Sequence, residues 1–511
     1  MSNTPSSSHT STMEELQLNP FILTTLLSLI ILWSINIVFL KPRTKLKVPP
    51  SPPKLPIIGN LHQLGSSLPH RDLHSLAKKH GPLMLLHLGS VPVLIVSSAE
   101  FACEIMKTHD ILFANRPGFK AMKKLFYDCR DVAFSPYGEY WRHMKSIVVL
   151  QLLSNKRVQS FSTIREEETA LLVRKIRESS GPVDLSAMFA RFSNDGIGRS
   201  AFGGKLSDSE NGKKFLHAMT ELMELSGIID ISDYIPWLGW IGRLNGIDKR
   251  LDNTAKEMDQ VLESVIQERL QIQEEKGVKQ NGQDFLDILL GIYNDKTVDA
   301  SIDRDSIKAL LLNSFVGGTD TISTTMEWTM SELLLHPTVM EKLQHEVRGI
   351  VKPKQEITDD DVQEMHYLKA VIKEALRFHP PLPLLVPRRA SKDVQVKGFD
   401  ICAGTVVMIN AWAIGRDPVS WDEPEKFMPE RFLNSSLDFK GLDFELIPFG
   451  AGRRGCPGIS FSIVAMELLL ANLVQKFDWK LPQPKDLDMT ESPGMTAHRV
   501  VPLRAVASCV M

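Results

Sequence analysis

The sequence predicts a mainly α-helical protein with small β-sheets, built as one large domain behind an N-terminal transmembrane helix. Three observations predict it. Helical periodicity runs through most of residues 100–377, and two short apolar stretches, 83–98 and 394–410, read as strand hairpins. Residues 21–40 (FILTTLLSLIILWSINIVFL) contain no charge at all. With 43% hydrophobic residues in 511, the chain can fill a sizeable core. A net charge of −2 provides no bulk attraction to nucleic acid, so no nucleic-acid partner is expected. Cysteines 103, 129, 402, 456 and 509 lie too far apart for a disulfide framework or a structural zinc site. They suit a reducing compartment in which one thiol acts alone.

In chain order, residues 1–20 are a short polar tail. Residues 21–40 follow as the anchor, because twenty residues rising about 1.5 Å each match a hydrocarbon core of roughly 30 Å. A cleaved signal peptide would have a shorter apolar stretch and small residues at a cleavage site. Lys41, Arg43, Lys45 and Lys47 come next, and positive flanks stay on the cytosolic side. Residues 41–60 form a basic and proline-rich linker, with five prolines in the nine positions from Pro49, and read as a stiff spacer. Residues 61–511 show no repeat and no break sharp enough to divide them. Within them, 83–98 turns at Gly89-Ser90, and the polar stretch 271–284 reads as a solvated loop. Residues 310–337 read as one long helix stopped by Pro337. The helix over 362–381 puts Glu374 and Arg377 on one face. Residues 226–241 read equally as core or as an entrance dipping into a bilayer.

The stretch IPFGAGRRGCPGISF, 447–461, has two readings. Gly450, Gly452 and Gly455 spell G-x-G-x-x-G, between a possible strand (444–449) and a possible helix (460–477), with Asp478 where a ribose-binding acid belongs. Only 33 residues follow Asp478, too few for the second half of a dinucleotide domain, and Pro457 interrupts the run into the helix. The alternative is that the loop presents Cys456. Glycines leave the backbone bare for a flat group, and the helix that follows turns its positive end toward the sulfur, favouring the thiolate. A lone cysteine is ordinarily inert core; the glycine and arginine surroundings single this one out.

Phe449, Gly452, Arg454, Cys456 and Gly458 match F-x-x-G-x-R-x-C-x-G, and the loop thereby resembles that of the cytochrome P450 haem-thiolate monooxygenases. The resemblance implies Cys456 as the axial thiolate on haem iron, Arg454 as a partner for a haem propionate, and Phe449, Gly452 and Gly458 as part of the haem-binding loop. Other motifs of the family run through nearly the whole chain in order. Gly317-Gly318-Thr319-Asp320-Thr321 is similar to the A/G-G-x-D/E-T oxygen groove, with Asp320 and Thr321 as an acid–alcohol pair that relays protons. Many relatives carry Thr or Ser where this chain has Ile322. Glu374, Arg377 and the Arg431 of PERF resemble a buried Glu–Arg–Arg cluster that braces the loop before Cys456. Trp141 and Lys145 resemble W-x-x-x-R, with lysine losing arginine's two-pronged hydrogen bonding, and Arg388 is a further propionate candidate. The segments that line the pocket in relatives map onto apolar positions here, with Phe126, Val316, Gly317, Leu384, Leu385 and Met495 as candidates.

PPSPPKLPIIGN, FSPYGEYWR, LQLLSNKRVQSF and VGGTDT look most like the plant 71 family, 71A-like, of these enzymes. That resemblance implies a haem enzyme that uses O₂ and NADPH to hydroxylate or remodel a lipophilic plant metabolite: a terpenoid, alkaloid or phenylpropanoid. No stretch is left for a flavin domain, so electrons are expected from a separate NADPH–cytochrome P450 reductase. Both proteins would sit on the endoplasmic reticulum membrane, facing the cytosol. Two other readings stand beside it. One is a haem-thiolate dehydratase or isomerase, acting for example on an oxime without O₂, which Asp320 and Thr321 argue against. The other is a dinucleotide-dependent dehydrogenase.

Overall fold

Apolar residues on either side of Gly89 fold back on each other as β1 (Leu83–Leu88) and β2 (Val91–Val96), with Gly89 supplying a left-handed φ of 56° at the turn. The computed structural model describes residues 46–510 apart from 66–67, 209, 277–283, 296–301, 352–355 and 483–486. Before residue 46 it describes Thr24, Thr25, Ser28 and Leu29, all helical, so the expected span over 21–40 otherwise lies outside the described residues. The chain divides into two units, residues 1–47 and 48–511.

The proline-rich stretch is fastened rather than free. Pro49 and Pro52 are buried, Leu85 N–H donates to the Pro50 carbonyl (2.9 Å), and the Asn60 amide reaches the carbonyls of Pro52 and Pro53. Proline lacks a donor but keeps its carbonyl, so the run lies along β1 as an acceptor.

β3 (Val183–Asp184) belongs to a small sheet ordered β3-β9-β8, with β8 at Phe477–Lys480 and β9 at Arg504–Cys509. The single hairpin expected over 394–410 is instead two structures. β5 (Val394–Val396) and β6 (Phe399–Ile401) pair through a turn whose Lys397 and Gly398 both have positive φ. β7 (Val406–Ile409) leaves them to run parallel with β2 and antiparallel with β4 (Arg388–Arg389). The run VVMI is apolar on both faces, which suits a central strand rather than a half-exposed hairpin arm.

Seven helices matter for the site: α1 (Glu139–Ile147), α2 (Leu185–Phe202), α3 (Ile247–Lys276), α4 (Arg304–Gly318), α5 (Asp320–Leu335), α6 (His366–Phe378) and α7 (Ile459–Lys476). α3 takes in the first half of the expected 271–284 loop, because glutamines, glutamates and lysines are strong helix formers. The long helix expected over 310–337 starts earlier and breaks at Thr319. The helix expected from 362 is also two: Thr358 caps a separate turn at Asp359–Gln363 before α6 begins.

α2, α4, α5 and α7 contribute fully buried Phe189, Phe315, Met326 and Leu469 to one core. α7 is, among the described residues, the helix long and apolar enough to cross a membrane, and 78% of it is buried, which makes it a core helix. The β1-β2-β7-β4 sheet has its own apolar cluster, which includes Ile447 and Ala451 of the cysteine loop. That loop, 447–458, lies between the helical core and the sheet.

Candidate active site

The cysteine loop is set by its own backbone. Gly450 N–H donates to Ile447 O (2.9 Å), Gly455 N–H to Gly452 O (3.0 Å), and Cys456 N–H to Phe449 O (2.9 Å). Gly450 and Gly452 take left-handed φ values of 67° and 66°. A Cβ on Gly452 would meet Met106 O at 2.2 Å, so that glycine clears room for the protein's own chain rather than for a ligand. Gly458 closes the loop as the N-cap of α7, and its N–H points at Cys456 Sγ, 3.3 Å away.

Cys456 opens on a cavity of about 260 Å³ lined by α4, α5, the cysteine loop, the 381–388 turn and Met495-Thr496. Cys456 is exposed and lines this cavity, yet its sulfur lies deep among protein atoms. Burial therefore raises the thiol pKa, while the Gly458 N–H and the Lys145 charge work the other way. Neither arginine beside the cysteine is directed at the sulfur. Arg453 pairs with Asp110 (2.8 Å), and Arg454 donates to Ala114 O, Val132 O and Ser135 O. Among the described residues no group of three or more His, Cys, Asp and Glu is arranged to hold a metal ion. A metal at Cys456 would need its other ligands from an organic carrier.

Four cations line the cavity: Arg116, Lys145, Arg388 and Arg454. Lys145 Nζ donates to Gly455 O (2.8 Å), and burial brings its pKa down to about 8. Arg388 pairs with Asp110 (3.2 Å) and donates to Ala451 O. Arg116 donates to Ala133 O, Val386 O and Pro387 O. Burial and then repulsion from neighbouring arginines lower the Arg116 and Arg454 pKa values, Arg454 to about 9, while burial lowers Arg388 against the pull of Asp110. Against them stand Asp110 and Asp131, and burial drives Asp131 up to about 7. That end of the cavity is arranged for anionic groups. Trp141 lines the cavity, gives its N–H to Val132 O (2.9 Å) and lies beneath the Arg454 guanidinium, 4.2 Å from its ring centre.

Over the cavity the long helix breaks at Thr319, where hydroxyls bond back to the preceding turn. Thr319 Oγ1 donates to Phe315 O (2.9 Å) and Thr321 Oγ1 to Gly317 O (2.7 Å). Thr321, Val316 and Gly317 line the cavity, and a Cβ on Gly317 would meet nothing within 4 Å. Asp320 turns the other way, to His498 (3.3 Å).

Glu374, Arg377 and Arg431 do come together. Glu374 accepts from Arg377 at 2.7 and 2.8 Å, from Arg431 Nε at 3.2 Å and from Met428 N–H at 2.8 Å, with Glu374 and Arg377 fully buried. Their outward hydrogen bonds reach carbonyls within residues 415–426, so the cluster fastens that segment of the chain ahead of Cys456.

Two expected pocket residues are displaced. Phe126 is fully buried behind Phe134, with ring centres 4.8 Å apart, and Phe134 takes its place on the wall. Leu385, with a positive φ of 51°, lines the cavity, while Leu384 packs against a separate apolar cluster that includes Leu86, Val93 and Tyr234. Met495 is on the wall. In 226–241, Tyr234 and Ile235 are core, while Ile229, Trp237 and Trp240 are more than half exposed. Arg116, Asn313 and His498 fall within segments that line the pocket in relatives without being singled out there, and Asp110 lies outside them. None sits in a spacing pattern, and each acquires its place through contacts distant in sequence.

The family model for Cytochrome P450 matches residues 49–502. Cytochrome P450 71A8 of Mentha piperita is 55% identical over 500 residues, 97% of each chain. Norfluorocurarine oxidase of Strychnos sp is 50% identical over 503 residues, 96% of this chain and 98% of the relative. A zebrafish cytochrome P450 structure with progesterone superposes with a TM-score of 0.73 at 26% identity, covering 87% of this chain and all of that one.

Proposed function

Because this chain belongs to the cytochrome P450 family of monooxygenase oxidoreductases, we propose that it inserts oxygen into, or oxidatively remodels, a lipophilic plant specialised metabolite at the cavity above Cys456. The observation that carries the reading is Cys456 on the cavity floor, accepting the Gly458 N–H beneath a broken helix.

The residues present fit haem. One sulfur faces an apolar cavity, the Gly317 backbone leaves open space, and the cations at one end outnumber their acids. Cys456 would hold the iron; Arg388, Arg454, Lys145 and Trp141 would surround the carboxylates. Haem bound there supplies O₂ activation, with the thiolate donating electron density. The chain supplies the rest. Thr321 holds its hydroxyl proton at the cavity edge, with Asp320 behind it as the acid. Val316, Leu385, Phe134 and Met495 exclude water and orient an apolar substrate.

Electrons come from a membrane-bound NADPH–cytochrome P450 reductase, and the enzyme works at the endoplasmic reticulum membrane with this face in the cytosol. The exposed Trp237 and Trp240 suit a bilayer surface. Cys456→Ala is expected to abolish the haem-thiolate Soret band of the reduced carbon monoxide complex; a retained band would overturn the ligand. Microsomes carrying the enzyme and a reductase, given a panel of plant terpenoids, alkaloids and phenylpropanoids, should yield products with one added oxygen or two fewer hydrogens. Products formed equally without O₂ would overturn the monooxygenase reading of this site.

A further inference from the structure

His498 lies outside every motif above, yet the fold delivers it to the far side of the helix break. Its Nε2 is 3.3 Å from Asp320 Oδ2, and its Nδ1 is 2.8 Å from the Thr324 hydroxyl. Its neighbours pin it there. The Ala497 carbonyl accepts the Trp328 indole N–H (2.8 Å), Ala497 N–H donates to Pro381 O, and Arg499 donates to Ser331. The imidazole is 38% exposed and the Asp320 carboxyl 19%, so the ring is the solvent-facing member of the pair. The ring thus lies on the more exposed side of Asp320, and Thr321, the next residue, is the member of the acid–alcohol pair that lines the cavity.

We propose that His498 is the positioning residue that holds Asp320 and reloads it with the proton passed on to Thr321. The proposal rests on the reading of Asp320 and Thr321 as the proton-delivering pair. In the step, the His498 Nε2–H bond breaks and an Asp320 Oδ2–H bond forms. Imidazolium and carboxylate become imidazole and carboxylic acid, and the ring regains its proton from water at its exposed edge. No electrons change hands. The groups facing the ring are Asp320, Thr324 and Glu327, all on α5. Glu327 is already bonded to Ser186 and faces the Arg499 charge. Burial works to lower the imidazole pKa, but Asp320 and then Glu327 carry it above its ordinary value. A raised histidine pKa extends the charged form of the ring to higher pH than an ordinary imidazole.

The test uses the full-length haem-loaded enzyme with its reductase in membranes, with folding checked by the reduced carbon monoxide spectrum. His498→Gln keeps an N–H for Asp320 but cannot titrate; His498→Asn is the second variant should the first lose haem. NADPH-driven O₂ uptake and the share released as hydrogen peroxide are followed from about pH 6 to about pH 9. In the wild type, uptake should fall as pH rises through the imidazole pKa. His498→Gln should flatten that limb and raise the peroxide share several-fold, as should Asp320→Asn. A readout independent of turnover is the unfolding temperature. The charged pair stabilises the wild type below the raised pKa and is lost above it, so His498→Gln should remove that pH-dependent fall. If Asp320→Asn raises the peroxide share while His498→Gln keeps the wild-type pH profile, the proposal fails and the site reading stands. If His498→Gln raises the share but leaves the pH limb in place, the ring only positions Asp320 and the proton transfer is overturned. If Asp320→Asn changes nothing, the acid–alcohol reading fails and takes this proposal with it.

Discussion

Gly452 and Gly317 are both glycines of motifs, but they are glycine for different reasons. Gly452 has φ +66° and its missing Cβ would sit 2.2 Å from the Met106 carbonyl. Gly317 is helical with nothing within 4 Å of its missing Cβ. Gly452→Ala should destabilise the protein by roughly 1–3 kcal/mol and lower its haem content. Gly317→Ala should be neutral or gain up to about 1 kcal/mol of helix propensity. Thermal unfolding with the reduced carbon monoxide spectrum compares the two, and an unperturbed Gly452→Ala would refute the backbone argument. The ten-residue signature made Cys456 legible as the centre of its loop. It could not show which glycine faces a ligand and which faces the fold. Nor could it show that Arg454 spends its donors on Ala114, Val132 and Ser135, since those carbonyls arrive from more than 300 residues away.

Among the elements, the break between α4 and α5 divides a stretch that reads as one long helix, although its ingredients are local: two glycines followed by threonines weaken a helix. The second hairpin was misread because strand partners are chosen by the sheet: β7 has an apolar pattern on both faces and its partners are β2 and β4, from distant parts of the chain. The Glu374–Arg377 pair is local to α6, and α6 holds it fully buried only once Arg431 and the 415–428 backbone close around it. Glu374→Gln leaves Arg377 charged and under-compensated at 0% side-chain exposure, and should cost about 3–5 kcal/mol. Denaturant unfolding would measure it. A loss below about 1 kcal/mol, the range of surface pairs, would mean the cluster contributes no more than an exposed one.

For the whole molecule, one source of pH sensitivity lies where α5 meets the end of α6. Glu332 accepts from His379 (2.6 Å) and pairs with His336 (3.3 Å). Burial opposes its charge, yet the bonds from His336 and His379 hold its pKa down to about 2. A carboxyl depressed in the folded state stabilises above its unfolded pKa of about 4.3 and loses that contribution as pH falls toward about 2. Glu332→Gln should therefore cost on the order of 2 kcal/mol at neutral pH and flatten the acid limb of stability below about pH 4.3. Unfolding midpoints measured across that range would show an unchanged slope if the carboxylate is not so held.

The local chain by itself determined the chemistry available here: a cysteine in a glycine loop, a weakened helix carrying an acid and an alcohol, and apolar periodicity for a large helical core. Those features are encoded within four to ten consecutive residues, where backbone sterics and side-chain spacing act directly. Tertiary structure alone decided which groups meet. It joined His498 to Asp320, placed Asp110 between Arg388 and Arg453, and turned Leu385 rather than Leu384 toward the cavity. Such contacts depend on how separate helices and strands pack, and packing is selected by the whole core at once rather than by any one segment.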